Sequence, residues 1–510
     1  MNKSSDIKKQ LKNKPGPLIC VAVFCAITVV LWQRVQLGFR AGHMDEYDYL
    51  FVAKTLLADM TWPTHTYIFG SDFSWYLLGW GDRLLGGLVG ARSVAALLGA
   101  LSLWGVYLFA REVWQSKSIA WVATLILALS AGHIFISRLA SYDAVSFCFF
   151  ALAMMPLLRG CNNSSRFTQR SKNLYIALGM LLLLSAVLTK YTTAAYLPFI
   201  GLFILVAAPS QALTAGAILL TGIGTYLWLH WHDLIVLYEV QIIGTHGENT
   251  TYKDIIFRSG YYAGGLLCLS IPAILYAKKI NQKKAMKTLA LLTIFSMPLF
   301  LYHLHSKNLI SLYKHLNFSL FFLATAAAWS ISQWYSHYAT YKYSRAVLVR
   351  STPLLISLMI ILYTASNHIQ LKEMEDGYPD VENLVSHLED SPMAADSTIL
   401  SEDPYLFRYL QFNETPQSQI KETSWLDNDE DGKHTHQDVL DALWDRKFSV
   451  VLLTDAIHPS KNQQYRHILQ QRGYSQSYIE PYQLSSVMTT HLTGRISLYH
   501  RQLFNVELVE

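Results

Sequence analysis

The chain has 510 residues, 52% hydrophobic and only 15% charged, whereas soluble domains carry about 25% charged residues. That balance excludes an ordinary soluble enzyme and points to several membrane spans joined to a soluble part. A net charge of +5 offers no broad basic surface, so nucleic acid is not an expected partner.

The basic start MNKSSDIKKQLKNKPGP runs into LICVAVFCAITVVLW. Trp32, Gln33 and Arg34 follow in place of a small-residue cleavage site, so an uncleaved first span is expected. A span needs roughly 20 mostly apolar residues. The candidate segments are 17–34, 84–110, 118–136, 144–159, 174–189, 193–209, 212–230, 259–277, 288–304, 315–334 and 347–365, eleven in all.

Loop charge orients them. With the N-terminus inside, the inner loops carry Arg111 and Lys117, then Arg159, Arg166, Arg170 and Lys172, then Lys278, Lys279, Lys283, Lys284 and Lys287, then Lys342 and Arg345. The other loops hold Asp45, Glu46, Asp48, Asp59, Asp72, Asp82, Asp143, Asp233, Glu239, Glu248 and Asp254. This is the positive-inside pattern, and eleven spans place the C-terminus on the outer face. Two outer loops exceed simple connectors: 35–83, rich in Trp, Tyr and acids, and 231–258, where WHDLIVLYEVQIIG reads as an amphipathic helix at the interface.

After Ser366 the composition changes. STILSEDPYLFRYLQF and KFSVVLLTDAIHPSKNQQYRHILQQRG each read as a buried strand followed by a helix, and ISLYHRQLF as a further strand. The expected organisation is a multi-span α-helical membrane module, 1–365, and a soluble α/β domain, 366–510, on the outer face. The acidic run DNDEDG, Asp427 to Gly432, reads as an exposed loop. The five cysteines, Cys20, Cys25, Cys148, Cys161 and Cys268, have no metal-ligand spacing and are expected as buried small hydrophobes without a disulfide framework.

Unusual polar residues gather at the outer ends of the spans. Asp45 and Glu46, in GHMDEYDYL, follow the first span. Arg92 lies just inside the second. Arg138 and Asp143 share the short loop SRLASYD, Lys190 sits in LTKYT, and Lys307, Lys314 and His315 fall between the ninth and tenth segments. Charge at membrane depth is expensive and usually functional, so a set at one depth points to one wet cavity facing outward. Plainer roles stand beside this one. Lys307 at a helix end can snorkel, Arg92 fits either an ion pair or a substrate contact, and Asp48 fits a solvated or structural neighbour. Asp59, Asp72 and Asp82 read as loop acids. His43, Asp45, Glu46 and Asp143 could ligate a divalent cation, but adjacent residues rarely both coordinate and no HExxH spacing is present. No P-loop, GxGxxG or GxSxG motif occurs, so no cofactor is expected.

ARSVAALLGALSLWGVYLFAREVW followed by SIAWVATLILALSAGHIFISRLASYDAVSFCFFALAM resembles the second-to-fourth-span signature of the polyprenyl-phosphate-sugar-dependent glycosyltransferases. Protein O-mannosyltransferases and lipid A aminoarabinose transferases belong to that group. HMDEYDYL is similar to its Asp-Glu motif in the first outer loop, and LTKYTTAAYLP to its Leu-Thr-Lys segment. LYKHLNFSLFFLATAAAW resembles a later span, although the usual nearby proline is absent. The resemblance covers about 40–330.

The resemblance implies a C-type glycosyltransferase fold. Asp45 matches the catalytic Asp and Glu46 its neighbour. Arg138 and Asp143 match the short loop between the third and fourth spans, with Asp143 and Tyr142 supporting the site, and Lys190 matches the lysine placed toward the donor phosphate. Arg138, Arg92, Lys314 and His315 are further candidates for that phosphate. The implied reaction moves a sugar from a polyprenyl-monophosphate donor to an acceptor hydroxyl on a lipid, glycan or protein. Asp45 would serve as general base, with inversion at the anomeric carbon. A diphosphate-linked glycan ligase or polymerase and a lipid or solute transporter are the alternatives. Short loops point to a bacterial inner membrane.

Overall fold

The computed structural model describes residues 17–38, 42, 44–58, 72–162, 167–231, 234–235, 251–309, 311–340, 346–377, 380–390, 396–410, 417–423, 426–428, 435–455, 459–486 and 489–501. His43, Asp59, Asp233, Glu239, Glu248, most of the predicted interfacial helix and most of DNDEDG lie outside them.

Helix covers each of the eleven predicted segments. In chain order the helices are α1 (Pro17–Val35), α2 (Met44–Leu57), α3 (Asp72–Leu85), α4 (Gly87–Trp114), α5 (Lys117–Ala128), α6 (Ala131–Arg138), α7 (Tyr142–Gly160) and α8 (Gln169–Thr189). A 3₁₀ turn, Tyr191–Tyr196, precedes α9 (Leu197–Ala207), α10 (Pro209–Leu229), α11 (Tyr252–Lys279), α12 (Lys283–Phe295), α13 (Pro298–Ser306), α14 (Leu312–Thr340) and α15 (Ala346–Glu375). Among the described residues, seven helical stretches are long and apolar enough to cross a membrane, or eight if the bent pair α5–α6 counts as one span. The expected eleven crossings are therefore not all supported by length and composition. The segment 193–209 is split by its 3₁₀ turn. Early α14 carries Lys314, His315, Asn317 and Ser319, all buried against neighbouring helices.

The predicted span 118–136 is broken, with a bend of 67° between α5 and α6. The freed backbone is satisfied locally: the Ser130 hydroxyl donates to the Leu127 carbonyl (2.8 Å) and the Ala131 N–H to Asn367 Oδ1 on α15 (2.7 Å). Such breaks are tolerated where protein covers them. Close approach also shapes the bundle. A Cβ on Gly90 of α4 would stand 2.3 Å from the Gly81 carbonyl oxygen of α3, so these helices cross at a distance only glycine permits. No disulfide joins the five cysteines, but Cys20, Cys25 and Cys268 are exposed on helix surfaces rather than buried. On a membrane helix an apolar side chain faces lipid as readily as protein.

The C-terminal part is the expected small α/β unit. Helix α16 (Glu382–Asp390) precedes strand β1 (Ile399–Ser401), α17 (Pro404–Leu410), β2 (Ile420–Glu422), α18 (His436–Trp444), β3 (Val450–Thr454), α19 (Pro459–Gln471) and the long pair β4 (Tyr474–Ser486) and β5 (Thr489–Arg501). The sheet order is β2-β1-β3-β5-β4. β1 is parallel to both β2 and β3, while β5 is antiparallel to β3 and β4. The chain steps from β1 to β2 and then crosses back past β1 to β3. This makes a topological switch point between the carboxyl ends of β1 and β3, where open α/β sheets place ligands.

This unit rests on α2 and α3. Tyr47, Leu50, Phe51 and Leu78 share one apolar cluster with Leu384, Leu406, Phe407, Leu452 and Ile496. The Tyr409 hydroxyl donates to Asp82 Oδ1 (2.7 Å), and Lys54 Nζ lies 3.8 Å from the Tyr409 ring centre. Beside the switch point, Glu402 follows β1 and is 4% exposed. Its carboxylate accepts from Asn462 Nδ2 (2.9 Å) and from the Thr454 N–H. Burial pushes its carboxyl up from 4.5 to about 7. The folded state therefore holds this proton more tightly than the unfolded one, so Glu402 should make stability fall as pH rises from 4.5 to about 7. Thermal melting of the full chain across that range should show the loss, and Glu402→Gln should flatten it.

Candidate active site at one end of the helices

Helix α2 opens with Asp45 and Glu46 in its first turn, where the helix dipole favours negative charge. Its acids then part company. Glu46 is fully buried and Asp48 is 7% exposed, while the Asp45 side chain keeps 32% of its surface. The one-turn spacing puts Asp45 and Asp48 near one face and turns Glu46 toward the bundle.

Glu46 accepts a two-pronged hydrogen bond from Arg92 of α4, with Nε to Oε1 at 2.8 Å and Nη2 to Oε2 at 2.6 Å. The Ala140 N–H adds a third bond to Oε1 at 2.8 Å, and Arg92 Nη1 donates to the Leu37 carbonyl at 2.7 Å. Arg92 is 1% exposed. This network ties α2, the segment before it, α4 and the loop after α6 into one unit.

Asp45 Oδ2 instead accepts from Lys314 Nζ of α14 at 2.5 Å. Next to it, His315 Nδ1 pairs with His303 Nε2 (2.7 Å), His303 Nδ1 with the Asn308 carbonyl (2.6 Å), and His315 Nε2 with Thr192 Oγ1 (3.4 Å).

The third acid, Asp143 at the start of α7, is 2% exposed and accepts from Lys190 Nζ. Lys190 stands where α8 ends and the 3₁₀ turn begins. Its Nζ lies 4.7 Å from the Tyr142 ring centre. The Tyr142 ring in turn packs against Tyr49 (4.9 Å) and Trp75 (5.7 Å), which joins this corner to α2. Arg138, at the end of α6, bonds Glu375 Oε1 of α15 (2.5 Å) and the Gln36 carbonyl (3.2 Å). The fold thus gathers Asp45, Glu46, Arg92, Arg138, Tyr142, Asp143, Lys190, Lys314 and His315 by pairing each predicted acid with a cation from another helix. Lys307 stands apart, its Nζ 4.9 Å from the Tyr252 ring centre.

Among the described residues, no group of three His, Cys, Asp or Glu side chains is arranged to hold a metal ion. The charges at this site balance through Lys314, Arg92 and Lys190.

Residues 18–238 match the sequence model of a family described as dolichyl-phosphate-mannose-protein mannosyltransferase. The chain also superposes on ArnT from Cupriavidus metallidurans in its apo state, at 13% identity and TM-score 0.59, over 93% of this chain and 97% of that one. The same protein bound to undecaprenyl phosphate gives 11% identity with the same TM-score and coverage. The apo oligosaccharyltransferase of Archaeoglobus fulgidus gives 14% identity and TM-score 0.52, over 96% of this chain and 75% of that one. The chain has the C-type glycosyltransferase fold, and residues 18–238 are similar to that mannosyltransferase family. No curated protein matches it in sequence.

The sequence did not single out His303, Glu375 or Asp403. His303 lies with His305 in the apolar run PLFLYHLHS, where imidazoles were a readable signal. Glu375 carried none, because its partner Arg138 is 237 residues away in the chain, and Asp403 reads as an ordinary cap at the start of a helix.

Proposed function

We propose that the enzyme transfers a sugar from a polyprenyl-monophosphate donor to an acceptor hydroxyl at the outer face of a bacterial inner membrane. The acceptor hydroxyl loses its proton to Asp45 and attacks the anomeric carbon, and polyprenyl phosphate departs with the bonding electrons. One displacement inverts the anomeric configuration. A phosphate leaving group needs cations rather than a proton donor, and Lys190 and Lys314 supply them. The observation that carries this reading is that Asp45 alone among the α2 acids keeps solvent access while touching a cation. Binding of undecaprenyl phosphate by ArnT supports the lipid-phosphate donor.

The test is direct. The purified chain, given polyprenyl-monophosphate sugars and their diphosphate counterparts, should transfer only from the monophosphate. Transfer from the diphosphate alone would assign it to the ligase or polymerase class. A second measurement isolates the cation. The neutral pair Lys190→Met with Asp143→Asn avoids a stranded buried charge, and it should weaken undecaprenyl phosphate binding about tenfold or more, the worth of one charge-assisted hydrogen bond. Unchanged binding would remove Lys190 from the donor site.

A further inference from the structure

The sheet's switch point faces the membrane module. Between the carboxyl ends of β1 and β3 lies a cavity of about 20 Å³, lined by Asp403, Thr454, Leu406, Leu452 and Ile496 from the α/β unit and by Gly42 from the first outer segment. Gly42 stands three positions before Asp45, and its N–H donates to the Tyr47 hydroxyl at 3.0 Å. The walls are apolar with few polar groups, as in small-molecule sites. The volume holds about one water-sized group.

Two buried carboxylate oxygens in this region have no hydrogen-bond partner among the described residues: Asp403 Oδ1 and Asp48 Oδ1. Asp48 is more than nine-tenths buried. A buried acceptor without a donor costs about 1–3 kcal/mol. The two groups interact. Burial is the main cause that raises both carboxyls, Asp403 to about 6; the charge of Asp45 adds to each, and that of Asp403 adds to Asp48. Carboxylates from both parts of the chain therefore converge beside the proposed base, and what they lack is a donor.

We propose that this crevice is an acceptor subsite, in which Asp403, with Asp48, receives a second hydroxyl of the acceptor and so presents the neighbouring hydroxyl to Asp45. The acceptor class that fits is polyhydroxylated, a sugar unit rather than an isolated side-chain hydroxyl. This rests on the transfer reading above. The α/β unit then acts as a positioning element, and its docking on α2 builds the subsite.

The experiment uses the full chain, the monophosphate donor that supports transfer, and envelope lipids and glycans from a deletion strain as acceptor. Asp403→Asn keeps the residue's shape and its capping of α17. It should raise the half-saturating acceptor concentration at least tenfold, leave undecaprenyl phosphate binding at the wild-type level and lower the saturated rate little. Thr454→Val, which removes the other polar wall, should shift the same parameter. An unchanged half-saturation, or an equal loss of undecaprenyl phosphate binding, overturns the subsite. So does mass spectrometry that places the sugar on a serine or threonine with no neighbouring hydroxyl. If no monophosphate donor supports transfer even in the wild type, the transfer reading itself fails, which is a separate outcome.

Discussion

Asp45→Asn should lower transfer about 10²–10⁴-fold, the usual worth of a positioned general base, while undecaprenyl phosphate binding stays near the wild-type level. The amide keeps the side chain's size but cannot take the acceptor's proton. It also loses the charge that holds Lys314 at 2.5 Å. Released, that ammonium becomes more available to a phosphate, so donor binding should hold or tighten. Single-turnover transfer and lipid-phosphate binding, measured on the same preparation, separate the two effects. Wild-type-like turnover would remove Asp45 from the chemistry. A parallel loss of both would make it a binding residue.

Breaking the Glu46–Arg92 pair should have the largest effect on stability. Both side chains are at most 1% exposed, and removing one partner of a buried pair costs about 3–5 kcal/mol because the other charge is left behind. Glu46→Ala also strands the Ala140 N–H. Arg92→Met should destabilise comparably, with a lowered melting temperature in detergent. The double substitution Glu46→Gln with Arg92→Met leaves no uncompensated charge and should recover most of the loss. Glu46→Gln alone separates structure from chemistry. If its melting temperature stays at the wild-type value while transfer collapses, Glu46 works on the substrate and not chiefly as the anchor of α2.

Each of these expectations starts from residues that the sequence picked out, but the sequence left their roles level. Asp45, Glu46 and Asp48 lie within four positions of one another and read alike as acids leaving a span. Their burial separates them, and burial depends on what α4, α14 and α17 press against each face of α2. The same holds for Arg92, which fitted an ion pair or a substrate contact equally well until its guanidinium met Glu46. The break inside 118–136 was hidden for another reason. Apolar residues continue through Ser130, and the amide that satisfies the broken backbone comes from Asn367, far along the chain.

By itself the sequence determined that the chain is membrane-embedded, where its long apolar segments lie (but not the helices α2 and α3 that begin inside 35–83), that an α/β unit follows them, and which polar residues are out of place. These follow from local quantities: hydropathy over a span's length, strand-length apolar runs, and charge at the wrong depth. The tertiary structure alone decided which cation answers which acid, how far each carboxylate is withdrawn from water, and that the last domain packs on α2 and α3. Those are long-range matters of packing. A charge's energy is set by partners that pattern and composition do not reveal, because they are brought together only when the helices cross.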